Sequence, residues 1–523
     1  GGDVGAISNG WCLTITLPVD ISIKDAVATE PTSGSTNMVF PVVLSEASGQ
    51  TVTVNFQTAD GTAKDGVGEP EQDYTPTSGT VTFQPGETFK TINVPVLADA
   101  DNSETDETFV VNLSGATNAS IADGQATGTI KPPGTGPSGA PATLMITELR
   151  TSGPGGTADD FVEVYNNSNV DHTVTASDAS GGYGLFKMNA VCLSGVGQNS
   201  TPVLVGVIPN GTIIPARGHY LFASTAYSLG GAAAGNGSAI PDIENDRNVG
   251  LFSTATLANI GAHNRFDAVG FGLNTGGVCD LLREGATEEA AQGSTSEYSF
   301  VRWLGTPTGY PQDSNDNKSD FIMVSTTPAT PVGTYTLPIL GAPGPDNLAS
   351  PLLRNHPVIT SALFDPLAPS TGGANRQRQT CPGAPSCDPA TATFGTLTIR
   401  RNFINNTGQN VTRLRFRIVN ITTLNMPNQF GGAGQADLRA LNSPDEMVTV
   451  TGGGSVQARG TTIETPPAQP LGGGQNSAYR LTNTGVITMG TPLPPGGGVG
   501  VQFRLGVVTN GKFNFFINIE ALP

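Results

Sequence analysis

The sequence predicts an all-β protein made of β-sandwich domains in tandem. Stretches rich in Val, Ile, Thr and Phe, such as Val52-Thr-Val-Asn-Phe56, Thr91-Ile-Asn-Val-Pro-Val96 and Thr108-Phe-Val-Val-Asn-Leu113, alternate apolar and polar residues. That is the period of a strand that buries one face. Gly, Asp, Asn and Pro separate the stretches, as they do in antiparallel sandwiches. No sustained amphipathic helical run competes with them, and 523 residues amount to about three to five domains.

Composition narrows the function. Lys+Arg total 25 against 43 Asp+Glu, a net charge of -18, which argues against nonspecific nucleic-acid binding or attraction to an anionic membrane surface. No run of 18 apolar residues is present, so no membrane insertion is expected. Gly1 to Gly10 have neither the basic start nor the apolar core of a leader. The start therefore reads as the trimmed end of an exported chain or of a fragment.

Residues 1–18 hold one strand, Trp11-Cys12-Leu13-Thr14-Ile15, with Trp11, Leu13 and Ile15 on one face. A lone strand can neither bury that face nor pair its backbone. It is expected either to add to the sheet edge of another copy, with Cys12 sealing the contact, or to be the remnant of an upstream domain. The segment is similar to the last strand of the P domain that accompanies subtilisin-like proteases.

Residues 19–130 form the first domain. Phe56-Gln-Thr-Ala-Asp-Gly-Thr-Ala63, Asp73-Tyr-Thr75, Gly79-Thr-Val-Thr-Phe83, Asp106-Glu-Thr-Phe109 and Ala122-Asp-Gly-Gln-Ala-Thr-Gly-Thr-Ile130 resemble the Calx-beta family in order and register. The resemblance implies an immunoglobulin-like sandwich that in some members binds calcium at the loops of one end. By matching motif, the implied ligands are Glu30, Asp60, Asp99, Asp101 and Glu104. Independently, the run from Asp99 to Glu107 places five carboxylates in nine residues, oxygen ligands of the kind a hard Ca2+ ion takes. Family members that bind calcium usually end on consecutive aspartates, where this chain has Lys131-Pro132-Pro133. Binding is therefore expected to be weak.

A Pro/Gly linker at 131–141 leads to a second domain at 142–330. Leu144-Met-Ile-Thr-Glu148, Asp159-Asp160-Phe-Val-Glu163-Val-Tyr165, Arg265-Phe-Asp267 and Arg302 ahead of Asp313-Ser-Asn-Asp316-Asn317-Lys-Ser-Asp320 resemble a lamin-tail domain, which implies another immunoglobulin-like sandwich without chemistry of its own. Glu148 and Glu163 sit in alternating strands with no nearby His or Lys to supply a base, and Glu163 reads as a structural acceptor for backbone or Arg donors. Asp313, Asp316 and Asp320 are a weaker calcium candidate, since Asx-turn hydrogen bonds explain the same residues.

A second linker at 331–349 precedes a third domain at 350–523, with a polar insertion at about 366–391. In Thr412 to Ile418, Arg413, Arg415 and Arg417 alternate with Leu414 and Phe416 and read as a hydrated basic face. Thr396-Leu-Thr-Ile-Arg-Arg-Asn-Phe403, Ala436-Asp-Leu-Arg-Ala-Leu-Asn-Ser-Pro444, Thr462-Ile-Glu-Thr-Pro-Pro467 and Phe515-Phe-Ile-Asn-Ile-Glu-Ala-Leu-Pro523 resemble a C-terminal sandwich of large secreted bacterial proteins, which supports Pro523 as a natural end.

Of five cysteines, Cys381 and Cys387 bracket a short Pro-rich loop and are expected to pair, as are Cys192 and Cys279 across the second domain, with Cys12 left over. The histidines His172, His219, His263 and His356 are scattered. No Gly-x-Ser-x-Gly, His-Glu-x-x-His or phosphate-loop motif occurs, so no catalytic residues are expected. The sequence is read as a non-enzymatic extracellular or cell-surface protein, structural or adhesive, bacterial, with calcium as a weakly bound ion. Its expected partners are surface or matrix components and further copies in a homo-oligomer or filament. The alternative is an accessory segment of a larger secreted enzyme such as a protease.

Overall fold

The computed structural model describes residues 19–523 apart from 24, 32–33, 45–47, 67–71, 99–106, 132–143, 191–200, 232, 262–263, 272–276, 289–293, 306–308, 329–331, 333–336, 355–357, 382–386 and 428–433. Among the described residues the regular secondary structure is almost entirely β-strand. Among the described residues, helix is confined to the four-residue turn Asn317–Asp320 and short 3-10 segments such as Leu257–Asn259 and Gly277–Leu282. Two compact units are present, Gly1–Gly134 and Thr135–Pro523.

In the first unit two sheets enclose one core. Strands Phe89–Leu97, Ser35–Leu44, Asp20–Ile23 and Ser120–Asp123 form one sheet, and Ala26–Thr29, Gln125–Lys131, Glu107–Thr117, Val52–Asp60 and Ser78–Phe83 form the other. Alternation does what the sequence promised: in Ser35–Leu44, Met38, Phe40, Val42 and Leu44 point inward. They meet Ile21, Val54, Phe83, Val94 and Phe109, and Tyr74 stacks on Phe109 with ring centroids 4.2 Å apart. The chain crosses between the sheets just after Ile23, so Asp20–Ile23 and Ala26–Thr29 pair in different sheets.

The second unit holds two large cores. Leu144, Ile146, Val162, Val164, Leu185, Leu251, Phe300 and Met323 belong to the first. It lies between the sheet running from Gly156–Asn166 and Leu144–Gly153 through Tyr298–Arg302 to Phe321–Ser325, and the sheet of Pro202–Pro209, Gly182–Met188, Val249–Phe252 and Arg265–Val269. Leu397, Phe403, Phe416, Ile418, Leu438, Tyr479 and Phe503 belong to the second core, built on Arg413–Ile421, Phe515–Leu522, Thr396–Asn405 and Gly498–Thr509.

Several described residues of the stretch expected as a linker at 331–349 take part in the packing. Val332 and Leu340 are fully buried, and Ile339–Leu340 pairs in parallel with Phe321–Ser325. Leu340 N also donates to Leu424 O at 3.1 Å, and Gln475 N donates to Leu340 O at 2.9 Å. Backbone groups that both cores satisfy cannot serve as a free hinge. Leu144–Gly153 is buried along its whole length rather than on one face: Gly344 and Asn476 meet Glu148, and Asp159, Glu297 and Ser228 meet Arg150.

Candidate functional site

Of the calcium ligands implied by the sequence, Glu30 and Asp60 lie among the described residues of the first unit. Asp60 closes strand Val52–Asp60, and its Oδ1 accepts from Tyr74 Oη at 2.6 Å and from Asp65 N at 3.0 Å. Burial, then the Asp60 acceptor, raises the Tyr74 hydroxyl far above its ordinary pKa, so Tyr74 stays a donor that orients Asp60. Glu30 is buried and follows strand Ala26–Thr29, whose Thr29 pairs with Lys131. Asp99, Asp101 and Glu104 lie outside the described residues, as do Trp11, Cys12, Leu13, Ile15 and Cys192. Among the described members of the expected set, Asp60 is a carboxylate held in one orientation by Tyr74 and Asp65 N.

In the second unit, Asp313, Asp316 and Asp320 take separate tasks. Asp316 caps the helical turn Asn317–Asp320, accepting from Lys318 N at 3.1 Å. Asp320 is buried and accepts from Ser314 Oγ at 2.7 Å, from Ser314 N at 2.9 Å and from Arg302 at 3.2 Å. Turn hydrogen bonding thus accounts for these two acids. Asp313 reaches Arg302 at 3.4 Å and is the member brought close to further carboxylates.

The densest ionic cluster joins the two cores of this unit. Glu148 and Glu163 stand directly opposite each other on adjacent strands, an arrangement that like charges disfavour. Each is held by donors. Glu148 accepts from Ser299 Oγ at 2.6 Å, Gly344 N at 3.0 Å and Asn476 Nδ2 at 3.1 Å. Glu163 accepts from the Thr147 hydroxyl and from Asp346 N at 2.5 Å, with His219 Nδ1 3.2 Å away. Asp346 in turn accepts from Arg415 at 2.5 Å and Arg417 at 2.7 Å, and both arginines also pair with Glu520. A cavity of about 50 Å3 lies among Glu148, Glu163, His219, Arg417, Asn518 and Glu520.

Electrostatics follow from that packing. Burial, reinforced by the Glu163 charge, pushes Glu148 up to about 7. Burial alone would raise Asp346, but Arg415 and Arg417 hold it well below the usual carboxylate range. His219 is opposed by burial yet raised by Glu163 and then Asp346.

Sequence reasoning read Glu163 as a structural acceptor, which matches its contacts, but it placed no histidine near these acids. Strand His219–Ala223 pairs with Gly156–Asn166 and delivers one. Arg415 and Arg417 are not the hydrated face expected of them: both are 6 % exposed, because Asp346 and its neighbours cover that sheet. Arg413, at the strand end, stays wet and pairs with Glu464 at 3.3 Å. Asp346 was missed because it sits in Gly/Pro-rich chain, although the alternation of Asn518 and Glu520 opposite Arg417 and Arg415 was available as a signal.

Cys381 and Cys387 form a disulfide with Cα atoms 6.0 Å apart. Cys279 is also disulfide-bonded and packs with Phe186, Met188, Phe252 and Leu282.

Comparison with known proteins speaks to the first unit. Residues 21–134 match the Calx-beta domain family, a non-catalytic, calcium-binding module. Sodium/calcium exchanger 1 of Canis lupus familiaris and of Bos taurus are each 52 % identical to this chain over 64 residues, 12 % of this chain and 6 % of the exchanger. The chain thus spans a small fraction of the length of the curated relatives it matches. Among solved structures, the apo form of the Calx CBD1 domain is similar at 21 % identity, covering 22 % of this chain and 98 % of that one with a TM-score of 0.19. The CBD12 structure from CALX1.2 is similar at 14 % identity over 44 % of this chain and 79 % of that one, also with a TM-score of 0.19.

Proposed function

We propose that this chain is a non-enzymatic structural or adhesive protein of the extracellular space, a surface or matrix component in which a Calx-beta module precedes two fused sandwiches. The observation that carries the reading is the use made of its buried charges. Glu163, Asp346, Arg415, Arg417 and Glu520 are spent on one another between two cores, which suits a load-bearing spacer. A buried ionic junction of this kind sets a particular arrangement of the groups it joins and costs about 3–5 kcal/mol to break from one side.

In the same reading, residues 1–18 add as a strand to another copy. Burying Trp11, Leu13 and Ile15 would contribute roughly 5 to 8 kcal/mol before ordering costs. A head-to-tail contact that does not close gives a filament. The test compares the full chain with a chain lacking residues 1–18 by light scattering and electron microscopy, with and without calcium. The reading expects assembly of the full chain and loss of assembly on deletion. Monomeric masses for both chains in both buffers would overturn the assembly, and recovery of the native chain only as part of a larger secreted enzyme would overturn the structural role.

A further inference from the structure

A second group of acids in the second unit lies apart from the ionic junction. Asp267 is on strand Arg265–Val269, Glu284 follows the 3-10 segment Gly277–Leu282, and Asp313 precedes the turn Asn317–Asp320. One carboxylate oxygen from each lies within 4.8 Å of the other two. Ligands on opposite sides of a calcium ion at 2.3–2.6 Å are separated by about the same span.

Charge in this pocket is not balanced by protein. Arg302 pairs with Asp267 at 2.6 Å, Asp320 at 3.2 Å and Asp313 at 3.4 Å, and Arg265 reaches Glu284 at 3.3 Å. Two guanidinium groups thus face four carboxylates, leaving two negative charges where Asp267 and Arg302 are fully buried. A separate observation concerns Glu284 alone. Its side chain is 3 % exposed, and its Oε2 is buried without a hydrogen-bond donor. Its near neighbour is the Asp267 carboxylate, and two carboxylates can face each other out of water only by sharing a proton or a cation.

We propose that Asp267, Glu284 and Asp313 form a binding site for one divalent, oxygen-seeking cation of the calcium class. The donor set is all carboxylate, with neither His nor Cys to favour zinc, and a dication supplies the two missing charges. Such an ion ties a strand of the four-stranded sheet to two loops far apart in sequence, clamping one end of the sandwich. The site is independent of the Calx-beta ligands and of the assembly reading.

Equilibrium dialysis of the full chain against calcium chloride tests it, with the natural chain, Glu284→Gln and Asp313→Asn in parallel. Glu284→Gln keeps a donor for Asp267, as a shared proton would, and Asp313 is 11 % exposed, so the two variants test the site with different demands on folding; circular dichroism checks each. The expected result is that either substitution removes one bound calcium per chain, or weakens it at least about tenfold, while calcium bound elsewhere is unchanged. A chain that keeps Asp267, Glu284 and Asp313 and carries only Asp99→Asn, Asp101→Asn and Glu104→Gln should still bind one calcium. Equal stoichiometry in the natural chain and both variants would overturn the proposal and leave a shared proton as the occupant.

Discussion

Arg415 stands directly opposite Glu520 across two antiparallel strands, and its Nε donates to Glu520 Oε2 while its Nη2 donates to Asp346 at 2.5 Å. One guanidinium thus ties a strand of the C-terminal sandwich both to its neighbour and to the chain that arrives from the preceding sandwich. Arg417 repeats the pattern two residues on, at 2.8 Å to Glu520 and 2.7 Å to Asp346.

Asp346→Asn keeps the size of the side chain and removes its charge, leaving two buried arginines with Glu520 as their shared carboxylate. The loss should be about 3–5 kcal/mol, the cost of breaking a buried ion pair from one side. Urea unfolding of the full chain, followed by a probe in residues 135–523, reads it as a lowered midpoint. A midpoint within about 0.5 kcal/mol of the natural chain, the range of ordinary surface substitutions, would show that Asp346 is not holding the junction.

The pH dependence of the same junction has a definite sign. Glu148 is raised from 4.5 to about 7 by burial and then by the Glu163 charge, so the folded protein binds its proton more tightly than the unfolded chain. That contribution is fully present below about pH 4.5 and is lost as pH rises through about 7. His219, whose pKa is also raised, adds a loss in the same direction above its unfolded value. Asp346 acts oppositely, and only in acid: its lowered pKa favours folding above its unfolded value and fails below it. Glu148→Gln should therefore flatten the decline in stability between pH 5 and 8 by on the order of 3 kcal/mol. Parallel stability–pH profiles of the two proteins over that range would refute the assignment.

How much of this was legible in sequence depends on whether the cause was local. The strands were, because Met38, Phe40, Val42 and Leu44 alternate with outward residues whatever else the chain does. The Cys381–Cys387 bridge was, because its partners are six residues apart. Arg415 and Arg417 were misread because alternation says which residues share a face but not what covers it. The cover comes from Asp346, in chain whose Pro and Gly content looks the same whether it is a free linker or a packed one. Glu284 was invisible for a related reason: its meaning rests on Asp267 and Asp313, which folding alone brings together.

The disulfide closes a short loop beside strand Arg376–Gln379, which pairs with Thr396–Asn405. Cys381→Ser should cost about 2 kcal/mol through the unfolded state and should appear first as faster amide exchange in residues 376–379. Unchanged exchange there, or peptide mapping that finds both thiols free in the natural chain, would contradict it.

Calcium affinity at the first unit turns on the end of its last strand. Thr29 pairs with Lys131, so the strand end that carries a lysine lies alongside the chain that leads to Glu30, one of the expected ligands. In calcium-binding members of the family this strand is followed by aspartates, and here the chain continues Lys131-Pro132-Pro133. A lysine where the family carries an aspartate replaces a negative charge with a positive one, and two prolines offer no carboxylate in its place. The expected dissociation constant is about 10^-4 to 10^-3 M, the range of extracellular modules. Lys131→Asp should tighten binding at least about tenfold, which corresponds to roughly 1.4 kcal/mol. Calorimetric titration in the Glu284→Gln background keeps the second unit from contributing. Submicromolar affinity before the substitution, or no gain after it, would mean that the ligands are drawn from a different part of the acidic end.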